Sequence, residues 1–163
     1  MPGNSDLRGI ATTAKLAGHP LHPMLIPFPI AFFVATFACD LVYWATHDTF
    51  WALMAMWALG AGIVMAALAA IAGFTDFLGN AQIRAIGHAW HHMLGNVAVV
   101  VLSIVSFGIR MSEGAADGAL PWGLILAFVV VLLLLYTGWK GGELAYGQRV
   151  GMSPEAPPPG KSP

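Results

Sequence analysis

The sequence predicts an all-α integral membrane protein that folds as a four-helix up-down bundle. Three observations support this fold class. Of the 163 residues, 58% are hydrophobic and only 9% are charged, whereas soluble domains carry about 25% charged residues. Four apolar segments are each long enough to cross about 30 Å of hydrocarbon as a helix. The linkers between them are short, which favours antiparallel neighbours.

Each apolar segment has to be helical, because backbone polar groups find no water partners in lipid. The predicted spans cover residues 24–46, 50–78, 89–109 and 120–144. Residues 1–18 form a polar lead without the apolar core of a cleavable signal peptide, so we expect the first span to be an uncleaved insertion signal. Residues 19–151 are predicted to form the transmembrane domain, and the proline-rich residues 152–163 a disordered tail. No internal repeat is evident.

Charge and cysteine content limit the possible chemistry. A net charge of -1 argues against a nucleic-acid partner, because no basic patch offsets the phosphate charge. A single cysteine, Cys39, cannot form an intramolecular disulfide. The lipid bilayer is the expected partner, and an oligomer is compatible with the sequence.

The basic residues predict the orientation in the membrane. Six of the seven fall on the side that holds the N-terminus, here called side A, and only Arg110 falls on the opposite side, here called side B. Since positively charged loops stay in the cytoplasm, both termini are predicted to be cytoplasmic. The side A residues are Arg8, Lys15, Arg84, Lys140, Arg149 and Lys161.

Five of the six histidines are predicted to meet on side A. His19 and His22 precede the first span, and His88, His91 and His92 open the third. Two membrane crossings separate the two sets, so the chain returns to the side on which it began. Imidazole is the commonest protein metal ligand, and this cluster is the one sequence feature that points to chemistry.

Prolines predict the backbone ahead of the first span. His19 and His22 are each followed by proline, which disfavours the helical region for the preceding residue, so both are predicted to lie in an extended lead-in. Pro27 and Pro29 fit a first helical turn, where the missing N–H costs little. Such a lead-in would fold over the mouth of the bundle and direct both rings at the third span.

Polar residues recur on one face of the third span. His88, His92 and Asn96 are four residues apart and Ser103 lies seven further on, so the four share a helical face. Polar side chains in membrane helices turn toward the bundle interior, and this face is therefore predicted to point inward. Interhelical hydrogen bonding accounts for Asn96 and Ser103 better than for three histidines within five residues.

Two further features concern the spans themselves. Small residues at four-residue spacing, which allow close helix packing, include Gly62 and Ala66 in the second span and Gly138 and Gly142 in the fourth. Asp40 is an acid inside the first span and by default a functional candidate, although its neighbours Tyr43 and Trp44 also suit a position at the membrane interface. Helical rise puts it about 27 Å from His22, too far to share a site.

Four stretches of the chain resemble a family of small bacterial membrane proteins known as domain of unknown function 2231. They are residues 18–30, which begin Gly-His-Pro-Leu-His-Pro, and residues 73–77, 88–96 and 137–146. The resemblance covers residues 17–151 and implies four helices in a bacterial inner membrane, with no established activity. Many relatives have histidine where this chain has Pro27. Some relatives continue into Rieske or c-type cytochrome domains, which implies electron transfer.

Three hypotheses for the function stay open. The first is a haem b site with His22 opposite His88 or His92, with Arg84 and neighbouring lysines (Lys15 and Lys140) near the propionates, serving electron transfer with a quinone or a cytochrome partner. The second is a non-haem iron or zinc site, whose candidate ligands are His19, His22, His88, His91, His92, Asp76 and Glu143. The third is a non-enzymatic structural or assembly subunit of a membrane complex. No catalytic residue is assigned, and a stand-alone enzyme is not expected.

Overall fold

The computed structural model describes residues 9–152. The predicted tail beyond Met152 lies outside this range, as do Arg8 and Lys161. Within it, four helical segments are long and apolar enough to cross a membrane. They are Leu21–Thr46, Thr49–Gly79, Gly87–Glu113 and Trp122–Gly147. The predicted all-α four-span bundle is confirmed, with boundaries that differ from the predicted ones by a few residues.

The elements follow one another in a simple order. A short hairpin, β1 (Lys15–Leu16) and β2 (His19–Pro20), leads into α1 (Leu21–Leu25) and α2 (Pro27–Thr46), which together form the first span. The second span is α3 (Thr49–Gly79), the third is α5 (Gly87–Glu113), and the fourth is α6 (Trp122–Gly142) with a π-helical turn (Glu143–Gly147). A short α4 (Ala81–Arg84) precedes α5, and a 3-10 helix (Asp117–Ala119) precedes α6.

The prolines act as predicted at two places and not at a third. His19 is extended in β2, and α2 begins at Pro27. His22, however, is helical: it lies in the first turn of α1, so the predicted extended conformation is wrong there. Pro23 occupies the third position of that helix, where its missing N–H removes no intrahelical bond, so the helix tolerates it.

The bundle consists of two helical hairpins. α2 packs most extensively against α3, and α5 packs most extensively against α6. Because His22 lies against His92 and Asp40 against Arg110, α2 and α5 run in the same direction. α2 and α5 therefore begin at the side A end of the bundle, and α3 and α6 return to it.

The two hairpins present equivalent interior faces, although their sequences show no evident repeat. In α2 the buried residues include Phe33, Thr36 and Asp40. The residues 70 positions later, Ser103, Ser106 and Arg110, are among the buried residues of α5. The pairs His22–His92 and Asp40–Arg110, which are also 70 positions apart, each bring equivalent residues into contact. Because equivalent residues of the two hairpins are in contact at both ends of the bundle, the hairpins are related by an approximate two-fold axis that runs along the bundle.

Candidate functional site

The structure brings His22 and His92 together at the side A end of the bundle. Their ring centroids are 5.9 Å apart and the two rings are nearly perpendicular, at 88°. Both side chains are half-buried. Of the two partners predicted for His22, the one in ring contact is therefore His92.

Hydrogen bonds fix the tautomer of both rings. His22 Nδ1 lies 2.9 Å from the Ala69 carbonyl oxygen, and His92 Nδ1 lies 2.9 Å from the Thr137 carbonyl oxygen. A carbonyl oxygen only accepts, so each Nδ1 must carry the proton and donate it. In the neutral ring this leaves the Nε2 lone pair free to bind a metal. Ligating histidines are oriented in this way by their second nitrogen.

Two glycines make room for these rings. A Cβ at Gly73 would lie 2.9 Å from His22 Nδ1, and a Cβ at Gly141 would lie 3.0 Å from His92 Cε1. Each glycine is four residues after the carbonyl that accepts the imidazole proton, so one turn of α3 or α6 supplies both the acceptor and the space. The arrangement around His22 in the first hairpin is thus repeated around His92 in the second.

The other three histidines do not join this pair. His19 is exposed, with Nδ1 3.0 Å from its own loop's Ala17 carbonyl, and His91 is exposed, with Nδ1 2.7 Å from the Tyr136 hydroxyl. His88 is half-buried one turn before His92. Across residues 9–152, no group of three or more His, Cys, Asp or Glu side chains is close enough together to hold a metal ion.

Asp76 has a different set of partners from those predicted. Its Oδ1 accepts hydrogen bonds from the backbone N–H groups of Thr13 at 2.6 Å and Ala14 at 2.7 Å. These belong to residues 9–18, here called the N-terminal strap, which crosses the side A end and also pairs Ile10 with Val150. Asp76 is buried, and it anchors the strap to the end of α3.

The remaining predicted site residues lie at the same end of the bundle but take no part in the hydrogen bonds of His22 and His92. Arg84 donates from Nη1 to the carbonyls of Phe77, at 3.2 Å, and Leu78, where its charge suits the C-terminus of α3. Glu143 is exposed at the start of the π-helical turn. Lys140 is half-buried, with Nζ 5.6 Å from the centroid of the Tyr136 ring, and Lys15 is exposed in β1.

A second polar site, which the sequence analysis did not assemble, lies near side B. Arg110 Nη2 donates to Asp40 Oδ2 at 2.6 Å, and both side chains have no exposed surface. A Cβ at Gly123 of α6 would lie 2.7 Å from Arg110 Nη2, so this glycine makes room for the guanidinium. Asp40 and Arg110 are therefore both buried inside the bundle near its side B end.

The predicted polar face of α5 does turn inward and continues to this ion pair. Asn96 is half-buried and Ser103 has no exposed surface, and Ser106 and Arg110 extend the face at alternating spacings of three and four residues. Val99 interrupts it. Val99 belongs to an apolar cluster with Phe33, Leu59 and Val130, and the last three pack beside the serines. The spacing of these residues along each helix can be seen in the sequence. That spacing does not show which residues of different helices come into contact.

Comparisons with known proteins identify one family. A family model described as a predicted membrane protein, DUF2231, matches residues 18–154. No curated protein and no solved structure matches the chain significantly.

Proposed function

This chain belongs to the DUF2231 family of predicted membrane proteins, and we propose that it binds one haem b between His22 and His92 and transfers electrons within the membrane. Its four apolar spans make it a multi-pass membrane protein. The redox partner in this proposal is a quinone or a cytochrome, as the sequence analysis predicts.

The observation that carries the proposal is the geometry of the histidine pair. Each Nδ1–H is committed to a backbone carbonyl, which leaves Nε2 as the ligand atom. The ring centroids of His22 and His92 lie 5.9 Å apart, so the two side chains would hold one iron between the two hairpins.

A bis-histidine haem requires fewer protein ligands than an isolated iron or zinc ion. A tetrahedral ion takes three or four protein ligands, and residues 9–152 offer no group of three. A porphyrin fills four positions itself and leaves two for the protein, which is the number that His22 and His92 supply. This difference in ligand count is the reason to place haem ahead of the non-haem metal.

In this proposal the haem supplies one-electron chemistry, and the chain controls its surroundings. His22 and His92 would hold the iron from two hairpins, which would place its one-electron chemistry where the halves of the bundle meet. Lys15 and Lys140 lie at the same end and are available to the propionates, whereas Arg84 is already bound to carbonyls of α3.

We also propose that side A faces the cytoplasm. Arg110 is buried in the ion pair. The other basic residues of the described chain all lie at the side A end: Lys15, Arg84, Lys140 and Arg149. Positively charged ends of this kind stay in the cytoplasm.

The test is the absorption spectrum of the full chain, purified in detergent with haem supplied during expression. We expect a Soret band and a reduced-minus-oxidised α-band, both lost in His22→Ala and in His92→Ala and retained in His91→Ala, the matched control. Absence of haem bands from the wild-type protein refutes the proposal. Stoichiometric iron or zinc without porphyrin would then favour the metal site, and neither would favour a structural subunit.

A further inference from the structure

The interior of the side B half of the bundle contains hydroxyl groups that no protein atom satisfies. Ser103 Oγ and Ser106 Oγ are fully buried and, among residues 9–152, have no hydrogen-bond partner. A buried hydroxyl without a partner costs about 1–3 kcal/mol. Serines one turn apart on an interior helix face therefore require an explanation other than helix packing, because alanine would fill the same space without that cost.

A cavity lies beside these two serines. Its volume is about 10 Å³, and it is also lined by Thr36 and by five apolar residues: Phe33, Leu59, Leu126, Ala127 and Val130. A single water molecule needs roughly 10–15 Å³ on this measure and two to four polar partners. Thr36 Oγ1 donates to the Phe32 carbonyl at 2.9 Å, which leaves its lone pairs free, so three hydroxyl groups are available to one water.

The ion pair one turn further along carries the same kind of unsatisfied atoms. Asp40 Oδ1, Arg110 Nε and Arg110 Nη1 are buried and lack hydrogen-bond partners in the described residues, because the pair meets through a single contact and not through two parallel ones. Arg110 follows Ser106 by one helical turn, and Asp40 follows Thr36 by one turn. Unsatisfied donors and acceptors thus continue from the cavity to the ion pair.

We propose that Thr36, Ser103 and Ser106 form an internal water-binding site that hydrates the side B half of the bundle next to the Asp40–Arg110 pair. The ligand is water, held by three hydroxyl groups at the junction of the two hairpins. Thr36 and Ser106 are equivalent residues, 70 positions apart, so the site lies beside the approximate two-fold axis. It is separate from the histidine pair, because Ser103 lies about 16 Å further along α5 than His92 by helical rise, and it does not depend on haem.

Radiolytic hydroxyl-radical footprinting of the full chain in detergent tests this proposal, because radicals formed from a bound water modify the side chains beside it. Phe33 lines the cavity and is 2% exposed, whereas Phe77, the matched control, is 7% exposed and lies elsewhere. We expect Phe33 to be modified several-fold faster than Phe77. Exposure alone predicts the reverse order, and modification of Phe33 no faster than Phe77 overturns the proposal.

Two variants strengthen the test without being required for it. Replacing both hydroxyls by Ser103→Ala and Ser106→Ala should lower the rate at Phe33 to that at Phe77, while Ser112→Ala, an exposed serine on the same helix, should leave it unchanged. An undiminished rate at Phe33 in the folded double variant overturns the assignment of these hydroxyls. If the double variant unfolds, the rate at Phe77 rises as well, and the wild-type comparison decides.

Discussion

The Asp40–Arg110 pair offers the sharpest test of how the two hairpins are held together. Asp40→Asn removes the negative charge with almost no change in shape and leaves the Arg110 charge buried, while Arg110→Met removes the cation and leaves the carboxylate. The double variant carries neither charge. Each single variant therefore isolates one charge in an interior where both side chains have no exposed surface.

The expected magnitude follows from burial. Removing one partner of a buried ion pair costs about 3–5 kcal/mol, because the remaining charge stays uncompensated, whereas an exposed pair is worth about 0–1 kcal/mol. At about 2–4 °C per kcal/mol for a domain of this size, each single variant should lower the melting temperature by about 6–20 °C. The double variant should cost about 1–3 kcal/mol less than the two single variants added together.

The assay is thermal or denaturant unfolding of the four proteins in the same detergent. Asp117→Asn, which changes an exposed acid near the same end of the bundle, is the control and should stay within about 0.5 kcal/mol of the wild type. Single-variant costs below about 1 kcal/mol, or additivity within about 0.5 kcal/mol in the double variant, would refute the conclusion that the pair is buried and coupled.

Three further predictions follow from particular contacts. Asp76→Ala removes the acceptor of two strap N–H groups and should speed hydrogen exchange in the N-terminal strap while the centres of the spans stay protected. Gly141→Ala places a Cβ 3.0 Å from His92 and should cost about 1–3 kcal/mol in thermal unfolding, whereas Gly142→Ala, with nothing within 4 Å, should be neutral or stabilise by up to about 1 kcal/mol. Asp48→Ala removes the side chain that accepts from the first turn of α3 and should lower stability by about 0.5–2 kcal/mol.

The small residues show how far helix periodicity can be interpreted. Gly62 and Ala66 pack in the interior as predicted: a Cβ at Gly62 would lie 2.7 Å from the Phe33 ring. Gly138 and Gly142 have nothing within 4 Å, so the packing predicted for them within the bundle is wrong, and the glycines of α6 that make close contact are Gly123 and Gly141. Spacing alone does not reveal which face of a uniformly apolar helix turns inward, because no polar face opposes it.

The candidate site was predicted in part. The sequence places five histidines at one end of the bundle, and two of them, His22 and His92, are in contact. The ligand role of Asp76 stays a prediction, and the structure shows Asp76 Oδ1 bound to the strap, because residues 9–18 fold onto the side A end. Every residue except proline has a backbone N–H group, so neither composition nor spacing predicts which N–H groups will bind a given carboxylate. The contact between the strap and Asp76 could therefore not be predicted from the sequence.

The sequence by itself determined the membrane class, the four spans and the end of the bundle at which each residue group lies. These follow from hydrophobicity and length, since apolar segments of about 20 residues must enter lipid as helices. Only the tertiary structure decided that His22 meets His92, that Asp40 meets Arg110, and that the two hairpins share an axis. Those contacts depend on the rotation of each helix about its own axis, which in lipid is set by packing against neighbours and not by the contrast between water and core.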